Sequence, residues 1–105
     1  MADGEVEITL CGKTHTLICT ARAFKAVGGM GGGFGAVFQR LAQFDPEAYD
    51  AIIAAGLNKR PSDVSELVYK TGMRELTGPL SEFVSQLMNG GKPVKADEPE
   101  TDEKN

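Results

Sequence analysis

Histidine is nearly missing from this chain, since His15 is the only one in 105 residues. A metal cluster or a catalytic triad would have one imidazole and nothing obvious to pair it with. Cysteine is almost as scarce. Cys11 and Cys19 lack the spacing of a zinc or dithiol motif. On the hairpin described below they fall on opposite faces, where a bridge between them would be strained. Two unbridged thiols suit a reducing, cytoplasmic setting. Positive charge is in deficit: 11 Lys and Arg stand against 15 Asp and Glu, for a net charge of −4. That excludes a binder that grips a nucleic-acid backbone through a clustered basic face. Long apolar runs are lacking too, and none approaches the ~20 residues a membrane-crossing helix needs. The opening Met-Ala-Asp-Gly-Glu is acidic, unlike a secretory leader.

What is present is an ordinary globular composition, 41% hydrophobic and 25% charged. Val6, Ile8 and Leu10 alternate with Glu5, Glu7 and Thr9, and a second run spans Thr14 to Cys19. Alternation of this kind makes a strand with one apolar face. Gly12-Lys13 between the runs predicts a two-residue type II′ turn. That turn places Cys11 opposite Thr14, Leu10 opposite His15, Ile8 opposite Leu17 and Val6 opposite Cys19. A two-stranded ribbon is not stable alone, so helices or a partner must cover its apolar face.

The helices announce themselves by caps and stripes. Thr20 caps a short first helix, with Ala23, Phe24 and Val27 on one side. Phe34, Val37, Phe38 and Leu41 form the stripe of a second, which extends to Phe44. Asp45-Pro46-Glu47 is a strong start for a third, carrying Tyr49, Ile52 and Ile53 and ending at Gly56. Ser62 caps a fourth, whose inner face is Val64, Leu67, Val68 and Thr71 and whose stop is Gly72. A fifth is expected from Thr77-Gly78-Pro79, with Leu80, Phe83, Val84 and Leu87 inside. The fold class is therefore α+β: an N-terminal two-stranded hairpin packed on four to five short helices. One small domain spans residues 1–91, and 92–105 reads as a disordered acidic tail. Phe24, Phe38 and Ile52 are expected in the core, where truncation to alanine costs about 2–5 kcal/mol.

No catalytic, cofactor or metal site emerges. Gly31-Gly32-Gly33-Phe34-Gly35-Ala36 formally fits a dinucleotide-binding loop. However, a helix precedes it where a strand is needed, and no lysine follows to make a P-loop. The glycine run reads instead as a flexible break between helices. It leaves Met30 and Phe34 as apolar side chains on a mobile loop, open to a partner. Thr14 and Thr16 lie at the hairpin's open edge, where a further strand can add. These four residues are the candidate partner contacts. A small ligand-binding domain using the glycine loop is the weakest functional reading.

As a whole the pattern resembles a known family. The segment from Gly4 through Glu-Val-Glu-Ile-Thr-Leu-Cys-Gly to Lys13, the run Thr16-Leu-Ile-Cys-Thr-Ala-Arg-Ala-Phe24, the helix with Ala51-Ile-Ile-Ala-Ala-Gly56 and the start Pro61-Ser-Asp-Val-Ser-Glu-Leu-Val68 carry the likeness. They resemble the tail assembly chaperones of siphophages, prophages and gene transfer agents, sometimes labelled tail tube proteins. The resemblance covers about residues 4 to 90 and includes no catalytic signature. It implies a non-enzymatic chaperone in the bacterial cytoplasm. Such a protein binds the long helical tape measure protein, keeps it soluble and helps recruit tail tube protein. No family functional residue carries over to a numbered position. The alternative reading is a structural tail tube or connector subunit that self-associates through the hairpin edge.

Overall fold

The alternating apolar residues at the N-terminus form the expected hairpin. The computed structural model describes residues 4–92. Thus nearly all of the segment expected as an acidic tail lies outside the described residues. Strand β1 (Glu5–Leu10) pairs antiparallel with β2 (Lys13–Ile18). Five helices follow: α1 (Ala21–Gly28), α2 (Gly33–Ala42), α3 (Pro46–Leu57), α4 (Pro61–Thr71) and α5 (Met73–Met88). The chain is therefore α+β, with the hairpin laid on a helical body.

The register differs from the expected one by two residues. Leu10 faces Lys13, Ile8 faces His15 and Val6 faces Leu17. The turn explains this. Its two central residues are Cys11 and Gly12, with φ of 52° and 82°. Positive φ at both positions is the requirement of a type I′ turn. Cys11 is held there from outside the hairpin, because its N–H donates to Thr71 Oγ1 at 2.9 Å. A shift of two keeps every side chain on its face. Val6, Ile8, Leu10 and Leu17 are accordingly all buried.

Helix α3 is the axis of the body, touching β2 and each of the other four helices. Ala48, Tyr49, Ile52, Ile53, Ala54, Ala55 and Gly56 are all buried along it. A helix apolar on most sides belongs in the middle of a core. The stripe read from the sequence was only part of that surface. Gly56 does not end the helix, which runs one residue further to a left-handed Asn58 cap. Gly56 is instead a close-packing site. A Cβ there would stand 2.8 Å from Leu17 Cδ2, 2.9 Å from Leu17 Cβ and 3.0 Å from Phe83 Cζ.

A hydroxyl pair ties α2, α3 and α5 together. The buried Tyr49 hydroxyl lies 2.8 Å from the Leu41 carbonyl and 2.8 Å from Thr77 Oγ1. Thr77 Oγ1 is in turn 2.9 Å from the Met73 carbonyl. Buried hydroxyls are kept in the fold by such partners.

Two helix starts differ from expectation. The N-cap of α4 is Arg60, not Ser62, with Pro61 at the first helical position. The Asp63 carboxylate accepts from the Arg60 N–H at 3.1 Å, doing what a cap side chain does at the other end of the same turn. That hydrogen bond, ahead of the nearby Arg60 charge, holds the Asp63 carboxyl below its ordinary range. Helix α5 starts at Met73, one full turn before the expected Thr77, and carries Pro79 inside it. Proline removes one N–H from the ladder, but the added turn buries Leu76 in line with Leu80, Phe83, Val84 and Leu87. The remaining signals hold as expected: Thr20 Oγ1 accepts from the Ala23 N–H, Asp45 from Glu47, and Gly72 ends α4.

Phe24 is the largest correction to the expected core. Ala23 and Val27 are fully buried, while Phe24 is 43% exposed. Phe38 is half-buried and Ile52 fully buried. Gly56→Ala should destabilise the fold by about 1–3 kcal/mol through overpacking against Leu17, measured as a lower urea midpoint at unchanged slope. Tyr49→Phe should cost about 1–3 kcal/mol by stranding buried polar partners, read from the same titration.

Candidate functional site

Exposed apolar side chains stand at several places, Tyr69 on α4 and Phe44 after α2 among them, but Phe24 and Met88 are the two that flank a common groove. Helix α1 is only eight residues long, and its buried line is Ala23 and Val27. Phe24 is the next residue round the helix, so its ring projects beside the core. Across from it α5 ends with Leu87 buried and Met88 exposed. Between them runs a groove of about 480 Å³, walled by Cys19, Thr20, Ala21, Phe24, Leu87, Met88, Gly90 and Gly91.

The floor of the groove is tied by backbone. Gly90 and Gly91 have φ of 70° and 83°, and the Gly91 N–H donates to the Gln86 carbonyl at 2.7 Å. Cys19 N–H donates to the Gly4 carbonyl at 2.8 Å, closing the hairpin's open end, and a Cβ on Gly4 would stand 3.4 Å from the Gly91 carbonyl oxygen just past α5. Burial raises the Cys19 thiol above its ordinary range, which lowers its thiolate fraction and hence its reactivity.

The apolar surface continues past Phe24. A second hollow of about 320 Å³ is formed by Phe24, Lys25, Gly28, Gly29 and Phe34. The Phe24 and Phe34 rings are 5.4 Å apart between centroids and tilted by 34°. Gly28 makes this possible, because a Cβ there would stand 2.9 Å from Phe34 Cε2. The glycine run therefore has a structural reading. Gly31, Gly32 and Gly33 all have positive φ and reverse the chain between α1 and α2. The backbone run makes no strand-to-helix phosphate loop, as α1 leads into it.

The four candidate contact residues do not converge. Phe34 is on helix α2, as its helical spacing with Val37, Phe38 and Leu41 implies, and is half-buried against Phe24. Met30 does lie in the turn before α2, half-buried on the edge of the core. It faces a different hollow, of about 460 Å³, with Arg40, Glu47, Asp50 and Ser62 among its walls. Thr14 is exposed opposite Thr9, and Thr16 is half-buried opposite Glu7. Both lie on the hairpin's outer face and neither lines the groove. Sequence reasoning missed Phe24, Leu87 and Met88 as a surface. The signal was available in the shortness of α1: two turns hold one buried line, and a third apolar residue has nowhere inward to go.

Chemistry of other kinds finds little purchase. Among the described residues there is no group of three or more metal-ligand side chains. His15 is half-buried opposite Ile8. No helix among the described residues is long and apolar enough to cross a membrane. In the polar hollow, desolvation first and the Glu47 charge second raise the Asp50 carboxyl above its ordinary range.

Two outcomes check this assignment. Phe24→Ala should lower stability by less than about 1.5 kcal/mol, against about 2–5 kcal/mol for Ile52→Ala, because only the second opens a core cavity. Asp50 holds its proton more tightly when folded, so its contribution falls as pH rises through the folded-state pKa. Asp50→Asn should therefore raise the urea midpoint at neutral pH, with the gain vanishing below the ordinary aspartate range. No protein-family model matches the chain, and neither does a curated protein or a solved structure.

Proposed function

We propose that this protein is a non-enzymatic tail assembly chaperone of the phage and gene-transfer-agent type, which binds the helical tape measure protein in the bacterial cytoplasm during tail building. The observation that supports this most is the contiguous apolar surface around Phe24, which a groove and a second hollow share. Phe24 and Met88 are 43% and 53% exposed across a groove that also exposes backbone at Gly90 and Gly91. Grooves of this kind receive the apolar face of an amphipathic helix, and methionine at the rim adapts to varied side chains. A tape measure protein, long and helical, presents many such faces and needs them covered before the tube forms around it. The tail tube protein is the second partner this role requires.

A structural tail tube or connector subunit is the second reading. Ile18, 42% exposed at the end of β2, supports it, together with the outer edges of a sheet of only two strands. Co-expression separates the two. The chaperone reading expects the tape measure protein of the same tail module to become soluble in a complex with this chain. It also expects that complex to be lost with Phe24→Asp in a variant that still folds. An insoluble client with no recoverable complex rejects it. Rings or tubes of this chain retained in finished particles, seen by electron microscopy, establish the structural role instead.

A further inference from the structure

We propose that the Phe24 groove selects an amphipathic helix whose apolar stripe is flanked by acidic residues. This rests on the client-binding reading above and adds the charge of the client segment. The argument is charge complementarity. From Ile8 to Phe44 the chain runs 37 residues without an Asp or Glu, yet carries Lys13, Arg22, Lys25 and Arg40. From Phe83 to Lys92 there is again no carboxylate. These two stretches supply every wall of the groove and of the hollow beyond Phe24. Acids are not scarce elsewhere, since residues 4–92 hold nine of them against nine Lys and Arg. They lie on β1, in α3 and α4 or just before them, and in α5 before Phe83.

The cations are placed to use this bias. Lys25 lines the hollow next to Phe24, and exposed Lys92 directly follows Gly91 at the groove's end. The ion pairs found among the described residues engage Arg40, Arg60 and Lys70, and neither of these two lysines. Arg22 leans away, its Nη2 reaching the Ala55 carbonyl at 3.5 Å. A helix in the groove would bury Leu, Met or Phe at positions i, i+3 or i+4, and i+7. Glutamates beside that stripe would meet Lys25 and Lys92 at the rim, and lysines there would be repelled. Rim charges of this sort act on selectivity and are weakened by salt.

The test uses the full chain and two labelled helical peptides of about 18 residues, long enough for five turns. Both carry one Leu/Met stripe, flanked by Glu in one and by Lys in the other. Fluorescence anisotropy should show the Glu peptide binding about tenfold tighter or more, with the preference shrinking at about 0.5 M salt. Lys25→Glu with Lys92→Glu should abolish the preference, and Phe24→Ser should weaken both peptides, each variant still giving the native circular-dichroism spectrum and a cooperative melt above the assay temperature. Equal binding of the two peptides overturns the proposal, as does a preference that survives the double lysine variant. Competition by a synthetic 93–105 peptide as strong as that of the unlabelled Glu peptide overturns it in favour of the chain's own end. A dimer that Phe24→Ser dissolves overturns it in favour of a second copy. If the tape measure protein is solubilised while the peptides show no preference, the chaperone role stands and the acidic selectivity falls. A clear Glu preference with an insoluble tape measure protein leaves the groove's selectivity and removes that client.

Discussion

The fold hangs on the contact between Leu17 and Gly56. The hairpin offers one apolar face, and a ribbon of two strands has no stability unless that face is covered. Helix α3 provides the cover, but a helix with side chains all round stands about 8–10 Å from its neighbours. Gly56 removes the obstructing Cβ where Leu17 and Phe83 meet it, with clearances of 2.8 Å and 3.0 Å for a hypothetical methyl. Strand β2, α3 and α5 thus meet at Gly56. The small residues Ala48, Ala54 and Ala55 extend the same logic, letting other elements close around α3. The polar tie at Tyr49 then holds α2 and α5 to that axis from the other end of the helix.

That close packing explains where the apolar surplus goes. Because α1 lies near α3, its inward positions take Ala23 and Val27, and both are fully buried. Phe24 is then too large and too far round the helix to enter. Its exposure follows from the tightness of the core, and the Phe34 ring, admitted by Gly28, shields only one side of it. The groove is therefore a product of the same constraint that seals the body. Truncating Phe24 spares the core for this reason, whereas truncating Ile52 opens it.

The elements that were legible in the sequence are those set by local chemistry. Thr20, Asp45-Pro46-Glu47 and Gly72 act within one helical turn, and they appear where local rules put them. The hairpin's buried face was legible because side-chain alternation survives a register shift of two. What was not legible depends on distant partners. The turn residues follow from Thr71 holding the Cys11 N–H, a contact across 60 positions. Gly56 reads locally as a helix stop, and only the arrival of Leu17 makes it a packing site. Pro79 reads as a helix start, but the burial of Leu76 continues the helix through it. Of the candidate contacts, Phe34 lies beside Phe24 because Gly28 admits its ring, a contact that no local signal shows, whereas Met30, Thr14 and Thr16 lie apart from the groove.

The distribution of charge follows an equally physical division of labour. Residues 4–92 balance nine acids with nine cations, so the chain's net charge of −4 resides outside them. Within the body four of the nine acids stand at helix starts, Asp45, Glu47, Asp63 and Glu75. A positive helix end and a carboxylate stabilise one another over a single turn. Helices α1 and α2 contain no acid in their first turns. Thr20 caps the first with a neutral hydroxyl, and Gly32 begins the second with backbone alone. Giving up the favourable dipole interaction at both helices leaves the walls of the groove and of the hollow beyond Phe24, among the described residues, without a carboxylate. A surface that merely needed to be soluble would gain from acids there. Their exclusion from the groove walls makes sense if the groove must admit acidic flanks without repulsion, and it is the feature of the surface that folding alone does not require.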